Sequence, residues 1–224
     1  MKQQEEIKRD FPLRLNLKGR KIVLRPLTTD DRPQMLEFAQ DLEQDDLLFM
    51  QRDITQPGEV DRWIADDLEG RQSTLVACEG ATIIGYATYE LGRVRWTRHV
   101  AELRVVVTAA ARGLGLGRLL LQLAFEMVLD LGVTKIIARV VPDQAAALRL
   151  FTCLGFEQEA MLRDHALGAD GLTHDLLVLS FYPRQRQEQQ CAHCGVPVLN
   201  ALSVKGAWLC SQCYEAQYQE LGGG

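Results

Sequence analysis

Three closely spaced glycines lie between a β-branched segment and a leucine-rich segment, and this arrangement could hold a phosphate. The glycines are Gly113, Gly115 and Gly117, and residues 105–107 just before them are all valine. In the first turn of a helix, several backbone N–H groups lack intrahelical partners and the helix dipole adds partial positive charge. Glycine lets such a backbone approach a phosphate without a Cβ in the way. The segment therefore predicts a pyrophosphate cradle between a strand and a helix.

The spacing of the loop residues decides which pyrophosphate the loop could hold. A dinucleotide fingerprint needs G-x-G-x-x-G, and Arg118 occupies the position of its third glycine. A P-loop needs Gly-Lys followed by Ser or Thr, and that sequence is absent as well. The observed pattern is Arg-x-x-Gly-x-Gly at Arg112, Gly115 and Gly117. It closely resembles the coenzyme A pyrophosphate motif of the GNAT superfamily of N-acetyltransferases.

This resemblance, which extends over roughly residues 20–182, implies that acetyl-CoA is the acyl donor. It implies that the backbone groups of Val105 and Val107 pair with the pantetheine arm as a neighbouring strand would. Arg118 either reaches a phosphate or is an exposed charge of the first helical turn. Taken alone, the three glycines could also form a flexible turn before a core helix. The residues that the resemblance places around the pyrophosphate are Arg112, Gly113, Leu114, Gly115, Leu116, Gly117 and Arg118.

Two positions depart from the pattern of the family. Many members carry Asn-x-x-Ala-x-x-Leu-Tyr, in which the tyrosine protonates the departing thiolate, but here Gln144 and Phe151 occupy the Asn and Tyr positions. Arg139 stands where some members have a glutamate base. Because a free thiol has a pKa of about 8.5, a thiolate can leave without a strong acid. A backbone N–H of the strand over residues 100–107 is predicted to stabilise the charge on the carbonyl oxygen.

Glu102 is the predicted catalytic base, since several family members hold a glutamate on the strand that enters the loop. It could take the proton of the acceptor amine directly or through water. The alternative is an ion-paired strand residue, with Arg104 or Arg95 as its partner. His99 and His165 are weaker candidates for the base, and both fit surface positions.

The acceptor site has two weak signals. Tyr86 and Tyr89 could line it, although ordinary cross-strand packing explains them better. The acidic residues 41–46 could attract a cationic acceptor, and a solvated loop or helix end is the simpler interpretation. The acceptor is therefore predicted only as an amine, either a small molecule or a protein.

Four cysteines near the C-terminus form a C-x2-C-x15-C-x2-C pattern, which resembles a zinc ribbon. Two disulfides and a redox dithiol are the alternatives, which a reducing compartment and the absence of a thioredoxin-like context disfavour. A four-thiolate site is closed, so the zinc would be structural. Opposite charges cancel over residues 183–224, which favours a protein partner, substrate docking or a homodimer over nucleic acid. The predicted ligands are Cys191, Cys194, Cys210 and Cys213.

The elements that must position these residues form an α/β domain. The predicted order is strand, two helices, three strands, helix, strand, helix and two strands, which gives a GNAT-like mixed sheet with a central parallel crossover. Residues 1–18 are an extension that either frays or docks through Phe11, Leu13 and Leu15. The acyltransferase domain covers residues 19–182, a polar linker residues 183–190, and the ribbon residues 191–221. Strands are predicted at residues 21–27, 73–79, 82–91, 100–107, 135–141, 156–163 and 174–181, with helices at 57–68, 118–131 and 143–153 and after the caps at 28–31.

The composition is that of an ordinary globular protein, with 47% hydrophobic and 25% charged residues and a formal net charge of -5. The N-terminus is too charged for a signal peptide, and no apolar run approaches the roughly 18 residues of a membrane span. We therefore expect a cytoplasmic protein with reduced thiols, in which Cys78 and Cys153 pack as small hydrophobes. The predicted reaction moves an acetyl group from acetyl-CoA directly to a primary amine. The alternative is a non-catalytic acyl-CoA sensor whose ribbon recruits a partner.

Overall fold

A mixed sheet of eight strands runs through the computed structural model, which describes residues 11–43, 46–47, 50, 52–168 and 171–183 and the backbone of two short strands further on. The strands lie in the order β1-β2-β3-β4-β5-β6-β8-β7, and every neighbouring pair is antiparallel except β5 and β6. The strands are β1 (Leu13–Leu17), β2 (Arg20–Pro26), β3 (Gln72–Glu79), β4 (Thr82–Leu91), β5 (Val100–Val107), β6 (Lys135–Val140), β7 (Glu157–Leu167) and β8 (Thr173–Phe181).

In the described part of the chain, four helices of nine or more residues cover the two faces of this sheet. They are α1 (Arg32–Gln40), α2 (Pro57–Leu68), α3 (Leu116–Asp130) and α4 (Ala145–Cys153). The apolar residues of α3 and α4 share one core with one sheet face, and those of α1 and α2 share another core with the opposite face. From β2 onward the predicted element order is confirmed, and the parallel connection from β5 through α3 to β6 is the predicted central crossover.

The N-terminal segment adds a strand that the sequence analysis left open. Residues Leu13–Leu17 pair antiparallel with β2, so docking rather than fraying is observed, and the sheet begins before residue 19. Leu13, Leu15 and Leu17 alternate with Arg14 and Asn16, and these three leucines are partly buried against the core. This period of two is typical of a strand with one covered face.

Helix α2 buries a different side from the one that its spacing predicted. Val60 and Ile64 are buried as expected, but Leu68 is 71% exposed and Trp63 is buried in its place. Eight residues of a helix correspond to two full turns and about 80° more, so the eighth residue rotates off the buried stripe. Trp63 and Phe38 meet the ring of Tyr86 edge-on, at centroid distances of 5.0 and 5.7 Å.

The start of α1 depends on a buried carboxylate. Asp31 is 3% exposed and accepts hydrogen bonds from both terminal nitrogens of Arg25, each at 2.6 Å, and from the backbone N–H of Thr28 at 2.8 Å. Burial raises the pKa of Asp31, but the guanidinium of Arg25 and the hydrogen bonds of Thr28 outweigh it and hold that pKa below its ordinary value. The stabilisation is therefore present above the unfolded-state pKa and is lost as the pH falls through the folded-state pKa.

We expect Asp31→Asn to lower the free energy of unfolding by about 2–3 kcal/mol at pH 7, because it leaves Arg25 without its charged partner. Urea denaturation at pH 7 and below pH 4 measures this loss, which should shrink at the lower pH. Asp61→Asn is the matched control, since Asp61 pairs with Arg32 at a side-chain exposure of 53%. Its cost should stay within about 1 kcal/mol. Equal costs for the two variants would contradict the assignment.

Candidate active site

Strands β5 and β6 separate and leave a wedge in the middle of the sheet. Their parallel pairing covers only Val100, Ala101 and Glu102, opposite residues 135–137. From residue 103 to residue 107, the partners of β5 in the described part of the chain all lie on β4. Among the described residues, one edge of β5 is therefore open beyond Glu102, from residue 103 to the end of the strand.

The backbone groups that face this open edge can be identified from neighbouring hydrogen bonds. The carbonyl of His99 accepts from the N–H of Thr134 at 3.0 Å, on the β6 side, and the N–H of Thr108 donates to the carbonyl of Ile84 at 3.0 Å, on the β4 side. Successive residues of a strand direct their backbone groups to opposite edges. The N–H and C=O groups of Val105 and Val107 therefore point into the wedge, where a pantetheine arm could pair with them.

The glycine loop follows β5 and leads into α3. Gly113 and Gly115 have φ values of +75° and +79°, and a Cβ on either would meet no atom within 4 Å. The first hydrogen bond of α3 runs from the N–H of Leu119 to the carbonyl of Gly115, so the preceding N–H groups have no intrahelical acceptor. Leu116 is fully buried, so it can contact a ligand only through its backbone, whereas Leu114 is partly buried.

The two arginines of the motif differ in their surroundings. Arg112 forms ion pairs with Glu43 at 2.6 Å and Asp46 at 2.5 Å. Two carboxylates of the acidic stretch, Glu43 and Asp46, are therefore bound to the glycine loop rather than simply solvated. Arg118 is exposed in the first turn of α3, and no carboxylate in the described part of the chain lies within ion-pair distance of it.

The turn between β1 and β2 supplies two cations that the sequence analysis missed. Lys18 donates from Nζ to the carbonyl of Gly113 at 2.8 Å, and Arg20 donates from Nη1 to the carbonyl of Ala110 at 2.7 Å. Arg20 also pairs with Glu79 on β3. The N-terminal hairpin thus supports the glycine loop from outside. The leucine alternation of β1 was the signal that could have revealed it.

Glu102 lies at the last paired position of β5, where the wedge begins. Its side chain is 12% exposed, with Oε1 2.8 Å from Arg104 Nη2 and Oε2 2.9 Å from Arg139 Nη1. The ion-paired alternative is therefore observed, with Arg104 as expected and with Arg139 instead of Arg95. Arg139 follows Ile137 by two residues on β6, so the pair spans the opening between the two strands. A role as a proton acceptor stays a prediction.

The position of the family tyrosine contributes only to the core. Phe151 is 3% exposed, and its ring meets that of Phe156 edge-on at 5.1 Å. Both rings belong to the core under α3 and α4. Since phenylalanine has no proton to donate, this position offers no acid for the thiolate.

A small pocket with a cavity volume of about 10 Å³ opens on the α1 and α2 face of the sheet. Arg104 lies opposite Thr88 in the β4–β5 register, and Glu90 lies opposite Glu102. Arg104 therefore belongs both to the pocket and to the ion pair at the wedge. The lining residues are Met50, Arg52, Trp63, Gln72, Tyr86, Thr88, Glu90 and Arg104.

The tyrosine and histidine candidates lie in different surroundings. Tyr86 lines the pocket and is 1% exposed, and burial raises its pKa above the ordinary value, so the phenol is neutral. Tyr89 belongs to the core on the opposite face, which is the packing alternative. His99 and His165 are exposed, as surface positions require.

The predicted zinc ligands lie outside the described residues. A short antiparallel hairpin of β9 (Leu202–Val204) and β10 (Ala207–Leu209) is described between the two cysteine pairs. Among the described residues, no group of three or more His, Cys, Asp or Glu side chains could hold a metal ion. Cys78 is buried as expected, but Cys153, at the end of α4, is exposed, which corrects its prediction as a packed residue. No helix in the described part of the chain is long and apolar enough to cross a membrane.

Comparison with known proteins agrees with this geometry. The acetyltransferase (GNAT) family matches residues 36–156, which is more than half of the chain. A Bacillus subtilis protein, provisionally named a phosphinothricin acetyltransferase, is 27% identical over 119 residues, which are 52% of this chain and 72% of that protein.

Solved structures extend the comparison to the fold. Ribosomal-protein-alanine N-acetyltransferase from Brucella melitensis is 26% identical, with a TM-score of 0.62 over 71% of this chain and 98% of that chain. A Salmonella typhimurium protein, provisionally named an acetyltransferase and solved with acetyl-CoA, is 24% identical, with a TM-score of 0.61 over 72% of this chain and 93% of that chain. The chain therefore belongs to the acetyltransferase (GNAT) family, and its relatives support its assignment as an N-acetyltransferase.

Proposed function

We propose that this protein transfers the acetyl group of acetyl-CoA directly to a primary amine of a small molecule or a protein within a ternary complex. The wedge is the observation that carries the proposal. Its open β5 edge leads from the glycine loop to Glu102, and a small pocket lined by Arg104, which pairs with that carboxylate, opens on the α1 and α2 face of the sheet. Donor and acceptor can therefore meet at one point of the sheet.

The residues present fit an acyl-CoA donor. The unpartnered N–H groups at the start of α3 suit a pyrophosphate, and the open space above Gly113 and Gly115 lets it approach. The backbone groups of Val105 and Val107 suit the amides of the pantetheine arm. When bound, acetyl-CoA supplies a thioester carbonyl that an amine can attack.

The protein's own groups then remove one proton from the amine and stabilise the carbonyl oxygen of the thioester. Glu102 takes a proton from the acceptor amine, directly or through water, and the nitrogen forms a bond to the acyl carbon as the C–S bond breaks. A backbone N–H on the open edge of β5 donates to the carbonyl oxygen, which gains charge. The thiolate leaves without a general acid, because Phe151 has no proton to donate, and it takes its proton from solvent.

A screen of amines with acetyl-CoA tests this function. Release of the free thiol is followed with small amines, amino acids, polyamines and peptides with free N-termini, while thermal shift reports binding of CoA. The proposal expects turnover with at least one class. Binding of CoA at micromolar concentration without turnover across the panel would favour the acyl-CoA sensor instead.

The C-terminal cysteines are proposed to hold a structural zinc ion. Thiolates at C-x2-C spacing are the donor set that zinc prefers, and the β9–β10 hairpin lies between the two pairs. We expect metal analysis to find about one zinc ion per chain, and Cys210→Ser to lower that content sharply. Cys153→Ser is the control and should keep the metal. Full zinc content in Cys210→Ser would exclude the four-thiolate site.

The ribbon and the acetyltransferase domain should respond separately to zinc loss. A closed four-cysteine site has no open position for a substrate, so acetyl transfer should continue in Cys210→Ser. Retained activity would support a partner-binding role, and lost activity would indicate that the ribbon docks the substrate.

A further inference from the structure

The loop between β4 and β5 carries a tryptophan that is largely exposed. Trp96 has 79% of its surface exposed, and Val94 in the same loop has 49%. Single exposed apolar residues are ordinary on a protein surface, but an indole removes more apolar area from water than most side chains when it is covered. Residues 92–99, which contain both side chains, are called the Trp96 loop below. A partner that covers this loop would therefore gain a large apolar contact.

The backbone of the Trp96 loop is folded into successive hydrogen-bonded turns. The N–H of Thr97 donates to the carbonyl of Val94 at 2.9 Å, and the N–H of Val100 donates to the carbonyl of Thr97 at 2.8 Å. A Cβ on Gly92 would lie 2.1 Å from the carbonyl oxygen of Thr97, so only glycine fits where the loop closes on itself. The exposure of the indole is therefore a property of a closely hydrogen-bonded loop.

Two cations flank the exposed indole. Arg95 and Arg98 are exposed, and no carboxylate in the described part of the chain lies within ion-pair distance of either. Arg93 differs from them, because it pairs with Asp66 and Glu90. The loop therefore offers an apolar ring between two uncompensated positive charges. Such a surface suits a partner that is negatively charged and also presents apolar side chains.

The last strand of the sheet ends close to this loop. Strand β8 ends at Phe181, and the ring of the next residue, Tyr182, has its centroid 5.3 Å from Lys135 Nζ. The backbone N–H of Lys135 donates to the carbonyl of His99, the last residue of the Trp96 loop, at 3.3 Å. Strands β5 and β8 are two positions apart in the sheet, which corresponds to about 10 Å. Residues 184–190 of the linker can span up to about 25 Å, so they can reach the loop.

The segment that follows the linker, residues 191–221, has a composition complementary to the loop. Its charged residues are Glu215, Glu220 and Lys205, so the negative charges outnumber the positive one. The thiolates of the proposed zinc site would make the segment more negative still. It also contains one tryptophan and two tyrosines, and a unit of about thirty residues is too small to bury all of its apolar side chains. The segment therefore combines the two properties that the loop suits.

We propose that residues 191–221 dock on the Trp96 loop of the same chain, with apolar side chains over the indole and with their two glutamates near Arg95 and Arg98. The linker holds the segment at an effective concentration in roughly the millimolar range, so a small interface is enough for docking. The loop precedes β5 and the glycine loop follows it, so the docked segment leaves the proposed donor site open. The proposal is independent of acetyl transfer.

Fluorine NMR of the full chain labelled with fluorotryptophan tests the docking. The three tryptophans give three lines, which single Trp→Phe variants assign. A soluble gadolinium chelate broadens the line of an exposed indole and spares that of a buried one. We expect the line of Trp96 to be broadened as little as that of Trp63, which is 5% exposed, at every protein concentration.

Three outcomes of this experiment would overturn the proposal. A Trp96 line that is broadened as strongly as that of free tryptophan would show that nothing covers the loop. Protection that appears only as the protein concentration rises would assign the loop to a second copy of the chain. Protection that appears only after a single-stranded oligonucleotide is added would assign it to nucleic acid. Acetyl transfer is not part of the measurement, so none of these outcomes bears on the proposed function.

Charge reversal in the loop tests which side chains hold the segment. Arg95→Glu combined with Arg98→Glu places like charges opposite its glutamates and should lower the ratio of docked to undocked chains about ten- to hundred-fold, so that the Trp96 line broadens. Arg149→Glu combined with Arg163→Glu is the matched control, since it changes the net charge equally at exposed positions of α4 and β7. It should keep the protection. Equal loss of protection in both double variants, or unchanged protection in the loop variant, would contradict docking on the loop.

Discussion

Glu102→Gln is expected to lower kcat for acetyl transfer by about a hundred- to a thousand-fold, with the affinity for acetyl-CoA changed less than about three-fold. The carboxylate lies where β5 and β6 part, so it faces the point that a donor along the open edge would reach. Glutamine keeps the shape of the side chain but cannot accept a proton at neutral pH. Steady-state kinetics measures the loss, and calorimetric titration with CoA measures the affinity.

Glu102 is paired with two guanidiniums, so the main alternative to a catalytic base is that Glu102 only holds the strands in position. Removal of the charge also breaks the pairs with Arg104 and Arg139, which could shift the strands apart. Arg139→Gln is the control, since it breaks one of these pairs and retains the carboxylate. The pH–rate profile should change shape in Glu102→Gln and keep its shape in Arg139→Gln. A loss below about five-fold in Glu102→Gln would show that another group accepts the proton.

Gly115→Ala is expected to weaken the binding of acetyl-CoA by about ten-fold, whereas Gly117→Ala should change it less than about three-fold. Gly115 has a φ of +79°, where an alanine costs roughly 1–2 kcal/mol. The loop must either keep this strained conformation or adopt another one. In another conformation its N–H groups no longer point to one place. Calorimetric titration with CoA measures the binding affinity of both variants.

Gly117→Ala makes the same chemical change at a position where it causes no such strain. A Cβ on Gly117 would lie 3.7 Å from Leu150 and 3.8 Å from Val107, which are ordinary contact distances. Alanine there also favours the helix by about 0.5–1 kcal/mol, so the melting temperature should rise slightly. Gly115→Asn should bind more tightly than Gly115→Ala, because asparagine tolerates the left-handed conformation. Equal weakening in Gly115→Ala and Gly117→Ala would mean that the space above the loop, and not its conformation, decides affinity.

The strand, loop and helix of the proposed donor site were predictable because their signals lie within one stretch of sequence. The strand of residues 100–107, the glycines and the helix after them follow one another along the chain, and each step has a local signature. The direction of the Val105 and Val107 backbone also follows from strand alternation once the pairing on both sides is known. Local periodicity and spacing therefore suffice for this half.

The cluster of side chains around Glu102 was not predictable, because its residues come from distant segments. Arg139 reaches Glu102 across 37 positions, and the pocket combines Arg52, Trp63, Glu90 and Arg104 from four parts of the chain. Each of these residues has an ordinary local explanation, such as an exposed strand charge or a core aromatic. Only the tertiary structure shows that they share one corner.

The ion pairs of Arg112 with Glu43 and Asp46 join the glycine loop to the segment that follows α1. Arg112 lies in the glycine loop, and its two partners come shortly before Met50 in the sequence, which lines the pocket on the α1 and α2 face. A phosphate drawn to Arg112 competes with those carboxylates for one guanidinium. If binding of the donor changes the affinity for the acceptor by some factor, binding of the acceptor must change the affinity for the donor by the same factor. This follows because coupling free energies are reciprocal.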